Sequence, residues 1–293
     1  MKSSSLAAIG SFIRLTKPII TLSVAFSALC GYILFSGTFS SGWFTAWFGV
    51  LLIAAGSSAL NQVQERHTDA MMERTRHRPL PAGQVKLRHA LVWVLLLSGS
   101  GALLLFLFAG IWPALLAILT LVWYNGLYTP LKLKTPWAIL PGAVVGALPP
   151  VIGWTAAGGA VNEQAIVLVA AFFFMGQIPH FWLILLRYGQ DYQKAGFPSA
   201  TALLSSGQIS RMTFVWVLAT AISAVFLFVF QVVQGWLWGS MIMILSLALI
   251  ISFYQWPGLK SPQHLNRAFM IMNLYFLSIM LILIAQSVLG ASM

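Results

Sequence analysis

Apolar residues run along this chain in long blocks separated by short polar joints, with neither the 3.6-residue stripe of a soluble helix nor strand-like alternation. The blocks fall at 18–36, 42–60, 90–109, 111–128, 137–157, 164–186, 212–231, 235–254 and 268–290. Each is close to the roughly 20 residues that a helix needs to cross the hydrocarbon of a bilayer. Backbone groups in hydrocarbon must bond internally, so segments of this length are expected as helices. The joints carry helix breakers where they are needed: SGTFSSG before the second block, GIWP between the third and fourth, AAGGA after the fifth. The pattern predicts an all-α, polytopic membrane protein of nine transmembrane helices, residues 1–293 forming one integral-membrane domain without a soluble domain or long linker.

Composition agrees. Hydrophobic residues make up 59% and charged residues 7% of the 293 positions, against roughly a quarter charged in soluble proteins. The formal charge of +11 would suggest nucleic acid in a soluble protein. Here its placement gives another reason. With the N-terminus in the cytoplasm, every Lys and Arg falls in the N-terminal tail, in 61–89, 129–136, 187–211 or 255–267, or at their membrane borders. That is the positive-inside pattern, and no nucleic-acid partner is implied. The first apolar block has no small-residue cleavage site, and Leu29 before Cys30 excludes a lipoprotein signal, so the block reads as a retained span. With no targeting peptide evident, a bacterial inner membrane is the expected location.

The polar chemistry then concentrates on the cytoplasmic face, above all in 61-NQVQERHTDAMMERTRHRPLPAG-83. Asn61, Glu65 and Asp69 are spaced i, i+4, i+8, which lines them up on one face if the second helix continues. One carboxamide and two carboxylates so arranged suit Mg²⁺, which takes one or two carboxylates together with substrate phosphates. Arg74 and Arg78 can grip phosphate oxygens. An ordinary charged loop would account for the arginines but not for the acids. Just past the sixth block, 187-RYGQDYQKAG-196 supplies Asp191 and Lys194. A diphosphate held between divalent ions needs acids from two sides, and Asp191 can supply the second. Within the apolar blocks His180, directly after Pro179, is the polar residue hardest to explain by packing, since a buried imidazole in a membrane needs a partner; a carbonyl freed by the proline would serve as well as a ligand.

The ladder Asn61-x3-Glu65-x3-Asp69 with MERTRHRPLPAG resembles the first aspartate-rich motif of the UbiA superfamily of intramembrane prenyltransferases. The segments 128-YTPLKLKTP-136, 141-PGAVVGALPPVIGW-154 and 177-QIPHFWLILLRYGQDYQKAG-196 are similar to its haem-farnesylating branch, the protoheme IX farnesyltransferases, and the resemblance covers nearly the whole chain in order. It implies a UbiA-type nine-helix bundle and Mg²⁺-dependent transfer of farnesyl from farnesyl diphosphate to a vinyl group of haem b with addition of water, giving haem O. It implies Glu65, Asp69 and Asp191 as the catalytic and metal-holding acids. Asn61, Arg74, Arg78, Lys132, Lys194, Tyr128 and His180 would bind substrate, His180 by approaching haem iron. Tyr124, Phe181, Trp182 and Tyr188 are further aromatic candidates beside a developing cation. The implied partners are farnesyl diphosphate, haem b and the bilayer, with haem A synthase or terminal-oxidase assembly as a further association. The sequence departs from the superfamily's usual pattern at Glu65, where Asp is usual, and at His67 and Gln190, where further acids are usual. Two alternatives remain at this point: prenylation of an aromatic quinone precursor on the same fold, or a non-catalytic haem-handling or lipid-transporting membrane protein.

Overall fold

The computed structural model describes residues 2–198, 200–254 and 262–290. Among them nine helices are long and apolar enough to cross a membrane: Pro18–Ser36, Trp43–Gln64, Leu87–Ala109, Ile111–Lys132, Pro136–Ala156, Gln164–Lys194, Ser206–Val229, Trp236–Tyr254 and Gln263–Gly290. No strand occurs among the described residues. A further helix, Lys2–Leu15, precedes the first span in what sequence suggested was a simple tail. Of the basic positions assigned to the cytoplasmic face, Lys260 lies outside the described residues.

The breaks fall where glycine lets the chain turn. Gly110, between the third and fourth spans, sits at φ 104°, ψ 178°, backbone territory that side chains other than glycine's rarely enter. Several spans run further than hydropathy marked, the second reaching Gln64 and the seventh starting at Ser206 among them. The fourth passes through a π-helical turn at Trp123–Tyr128 and a last α-turn at Thr129–Lys132. The sixth continues to Lys194, so Asp191 and Lys194 stand on a helix and not in a loop. Pro149, Pro150 and Pro179 lie inside their helices.

Lipid-compatible packing arranges the bundle. Without hydrophobic drive between spans in lipid, close approach at small residues provides the contact. The first and fifth spans meet almost backbone to backbone: a Cβ at Gly31 would run into the Pro150 carbonyl, and one at Gly153 into that of Ala28. Spans six to nine share a core of larger side chains, Phe172, Phe173 and Phe276 among them. Large side chains such as Ile19, Leu95, Phe108 and Trp236 point outward, as a lipid-facing surface requires. The alternation of spans brings the ends of spans two, four and six, and the start of spans one and three, to one end of the bundle. There Gln84 accepts from Arg14 at 2.8 Å, and Met72 packs with Ala195 and Phe197.

Candidate active site

The second span ends at Gln64, and Glu65 departs from helical geometry (φ −91°, ψ 5°) before a short helix, Arg66–Met71, resumes. The ladder nevertheless survives the break. The Glu65 N–H donates to the Asn61 carbonyl at 2.9 Å and the Asp69 N–H to the Glu65 carbonyl at 2.7 Å, which keeps the i, i+4 register. All three side chains are buried, Asp69 completely.

Buried ionic and polar groups need partners, and each rung has its own cation. The Lys17 ammonium donates to Asn61 Oδ1 at 2.7 Å. Lys132 Nζ lies 2.5 Å from Glu65 Oε1. Arg78 Nη1 donates to both Asp69 oxygens, at 2.7 and 2.8 Å. Burial works against the Glu65 carboxylate, but the charges and hydrogen bonds of Lys132 and the charge of Lys17 outweigh it and hold the group below the usual range. Lys17 moves the other way: burial first, then the Arg78 guanidinium, pull its ammonium down to about 7 against the attraction of Glu65.

The π-helical turn sets the fourth span's side of the site. One such turn shifts the side chains that follow it around the helix, and π-turns recur at functional sites. Asn125, inside it, accepts from Ser57 Oγ at 2.6 Å and donates to the Ser57 carbonyl at 3.1 Å and to Gln64 Oε1 at 3.0 Å. Gln64 returns a bond to the Asn125 carbonyl at 2.8 Å. Thr129 accepts from Asn61 Nδ2 at 3.3 Å and donates to the Tyr124 carbonyl at 2.9 Å. These bonds lock spans two and four together and aim Lys132 at Glu65.

Beside Lys132 a half-open hollow is lined by Tyr128, Phe181, Ile184, Tyr192 and Phe197. The ammonium lies 5.9 Å from the Tyr128 ring centre and 5.2 Å from that of Phe197. Tyr124 stacks on Tyr128 at 5.5 Å, and Phe181 stands 5.9 Å from Tyr128. From the loop after the ladder, the Arg74 guanidinium lies 4.5 Å over Tyr188 and donates to Tyr192 Oη at 3.4 Å. Arg187 approaches Tyr188 as well, at 4.8 Å.

The structure thus brings Asn61, Glu65, Asp69, Arg78, Lys132 and Tyr128 into one cluster, with Arg74 at its edge. Asp191 and Lys194 belong to the same end of the bundle, yet among the described residues no ion pair joins Asp191 to the ladder. Nor do any three His, Cys, Asp or Glu among them group closely enough to hold a metal ion unaided. His180 turns to the ninth span, its ring centre 4.5 Å from that of Phe269; Nδ1 is shielded and takes no hydrogen bond, so the Pro179 carbonyl gap does not satisfy it. Trp182 is packed into the core against Trp137, away from the hollow. Lys17, Gln64, Asn125 and Thr129 were not read from sequence as parts of the site. Asn125, a carboxamide well inside an apolar block, was the one visible signal.

Residues 24–278 match the model of the UbiA prenyltransferase family. Over 187 residues the chain is 46% identical to the protoheme IX farnesyltransferase of Geobacter sulfurreducens, covering 64% of this chain and 69% of that one. It is 38% identical over 190 residues to the enzyme of the same name from Nitratidesulfovibrio vulgaris, covering 65% and 66%. The matched stretch spans about two thirds of the length of these relatives. Among solved structures, digeranylgeranylglyceryl phosphate synthase superposes with a TM-score of 0.77 at 15% identity, over 96% of this chain and 99% of that one. A UbiA homologue from Archaeoglobus fulgidus bound to DMAPP and Mg²⁺ gives a TM-score of 0.68 at 15% identity, over 94% and 99%. At these identities the structural likeness speaks to fold alone.

Proposed function

The chain belongs to the UbiA prenyltransferase family, and from that membership we propose that it transfers farnesyl from farnesyl diphosphate to a vinyl group of haem b, forming haem O. The observation that carries the reading is the buried Asn61–Glu65–Asp69 ladder, cation-paired at every rung and opening beside an aromatic hollow. The curated relatives supply the choice of haem as acceptor.

Lys132, Arg74, Arg78 and Lys17 form the diphosphate side of the site. As the allylic C–O bond breaks, its electron pair leaves with the diphosphate, and fixed cations in a dry border stabilise the charge that develops there. The hard oxygen donors of Glu65 and Asp69 fit Mg²⁺, and Asp191, at the same end of the bundle, is the acid proposed for the opposite side; when bound, the ion would add its charge to the stabilisation of the leaving group. Tyr128 and Phe181 wall the hollow, keep water from the farnesyl cation and offer it ring faces, an interaction of about 2 kcal/mol when desolvated. The haem vinyl group then attacks the farnesyl C1, forming the C–C bond. Water adds at the vinyl carbon left electron-poor and loses a proton, which yields the hydroxyethylfarnesyl group. His180, which packs against Phe269 of the ninth span, is the residue of the sixth span we assign to the acceptor side.

Both substrates are amphiphiles, so a site at the border of a multi-pass bundle suits them. The confinement of basic residues to alternate joints supports a cytoplasmic site, and a bacterial inner membrane is the location we propose. An association with haem A synthase or oxidase assembly fits the same reading, because haem O is an intermediate that leaves this site unfinished.

Purified protein incubated with haem b, farnesyl diphosphate and Mg²⁺ is expected to yield a pigment heavier by one farnesyl group and one hydroxyl group, read by mass spectrometry. Unchanged haem alongside prenylation of an aromatic quinone precursor would replace this reading by that one.

A further inference from the structure

The two sides of the site are unequal. On the ladder side two carboxylates face three cations, Lys17, Lys132 and Arg78, each in contact with its own rung. On the sixth-span side Asp191 has no second acid beside it, because the preceding position is an exposed glutamine, Gln190. On the same stretch of helix Tyr188 stacks with Arg74 and Tyr192 accepts from it, and Lys194 follows three positions after Asp191. The described residues offer no cluster of three acids, His or Cys that would hold an ion by itself.

Charge balance then limits what can bind. A diphosphate brings more negative charge than the ladder's surplus cation can offset, and one divalent ion on the carboxylates restores rough neutrality. A second ion would rest on Asp191 alone, at the end of the bundle that carries Arg74 and Lys194. In a border region of low dielectric such like-charge crowding is strongly unfavourable.

We propose that this site takes one divalent cation per diphosphate, and that Lys132, with Lys17 across the ladder from it, supplies the positive charge that a second ion would bring. The inference rests on the prenyl-diphosphate reading and specifies its charge arrangement. Lys132 is well placed to do so, since its ammonium is fixed by Glu65, its side chain lines the hollow and part of its surface stays accessible. As a point charge with freely rotating donors, a lysine can follow phosphate oxygens as they move.

Counting ions tests it without reference to turnover. Full-length protein in detergent is titrated with Mn²⁺ in the presence of inorganic pyrophosphate, and free Mn²⁺ is followed by electron paramagnetic resonance. One Mn²⁺ per chain is expected; two would overturn the proposal. The double variant Lys132→Gln with Gln190→Asp removes the stand-in charge and restores a paired acid, and its count should double to two. A count of one in that folded variant would also overturn the assignment to Lys132. Should the double variant not fold, Gln190→Asp alone is expected to stay at one, because Lys132 remains, and a count of two there refutes the proposal. Farnesyl transfer assayed on the same preparation separates the two failures: two ions with active enzyme sink only this inference, whereas no Mn²⁺ and no transfer sink the functional reading with it.

Discussion

Lys132 and Glu65 meet 2.5 Å apart, nitrogen to oxygen, joining the last turn of the fourth span to the helix break that follows the second. Neither residue can be understood from its own segment. The π-turn at Trp123–Tyr128 brings the lysine round, and the Asn61–Glu65 backbone bond holds the carboxylate on the ladder.

That pair predicts an asymmetric mutational response. Removing one member of a buried ion pair costs about 3–5 kcal/mol, and Glu65→Gln should fall at the lower end because the Lys132 side chain keeps 21% of its surface accessible. The double variant Glu65→Gln with Lys132→Met should recover most of the thermal stability in detergent while remaining inactive. A double variant no more stable than Glu65→Gln would show that the pair does not act as a unit.

Asp69→Asn keeps the side chain's shape and removes its charge. Turnover is expected to fall at least about 100-fold, the upper range for disturbing a metal-site residue, while the protein still inserts and purifies as a folded species. Steady-state transfer of radiolabelled farnesyl measures it, and activity near that of the parent would remove Asp69 from the metal role.

Arg74 and Arg78 sit four apart in sequence but should behave differently. Arg74 stacks on a tyrosine at the edge of the site, so Arg74→Ala should raise the KM for farnesyl diphosphate about tenfold, the loss of one charge-assisted contact, with little change in melting temperature. Arg78 neutralises the fully buried Asp69, so Arg78→Ala should lower both diphosphate affinity and thermal stability. Equal melting temperatures for the two variants would contradict the pairing seen here.

Lys17 gives stability a pH dependence of known sign. Its ammonium is held near 7 in the folded protein against an ordinary value of 10.5. Between those values the unfolded chain binds the extra proton, so Lys17's contribution to stability improves as pH rises from about 7 toward 10.5. Lys17→Met should flatten that rise in a plot of unfolding temperature against pH; an unaltered slope would mean the ammonium is not constrained by its surroundings.

Gly153→Val places a branched side chain where only backbone fits, against the Ala28 carbonyl. Overpacking of about 1–3 kcal/mol at the crossing of the first and fifth spans should shift Lys17 away from Asn61, lowering pyrophosphate affinity from a distance. A variant that binds pyrophosphate like the parent would uncouple this crossing from the site.

Much of this molecule could be read along the chain. Nine apolar blocks set the nine spans found among the described residues, because hydrocarbon leaves a backbone few options other than helix. Basic residues confined to alternate joints set the face where chemistry would lie, and i, i+4 spacing put Asn61, Glu65 and Asp69 in line even across a helix break. What tertiary structure alone decided is who faces whom. Lys17 precedes Asn61 by 44 positions and Asn125 follows Ser57 by 68, and no local pattern pairs them. The end of span four ran past its hydropathic limit where span two and its extension supply partners for Asn125, Thr129 and Lys132, and the end of span six did so where Arg74 meets Tyr188 and Tyr192. Burial then decided the charges: a lysine in sequence became a weakened base beside Arg78, and two acids acquired dedicated counter-ions, since in a dry interior an ionised group persists only where the fold supplies its partner.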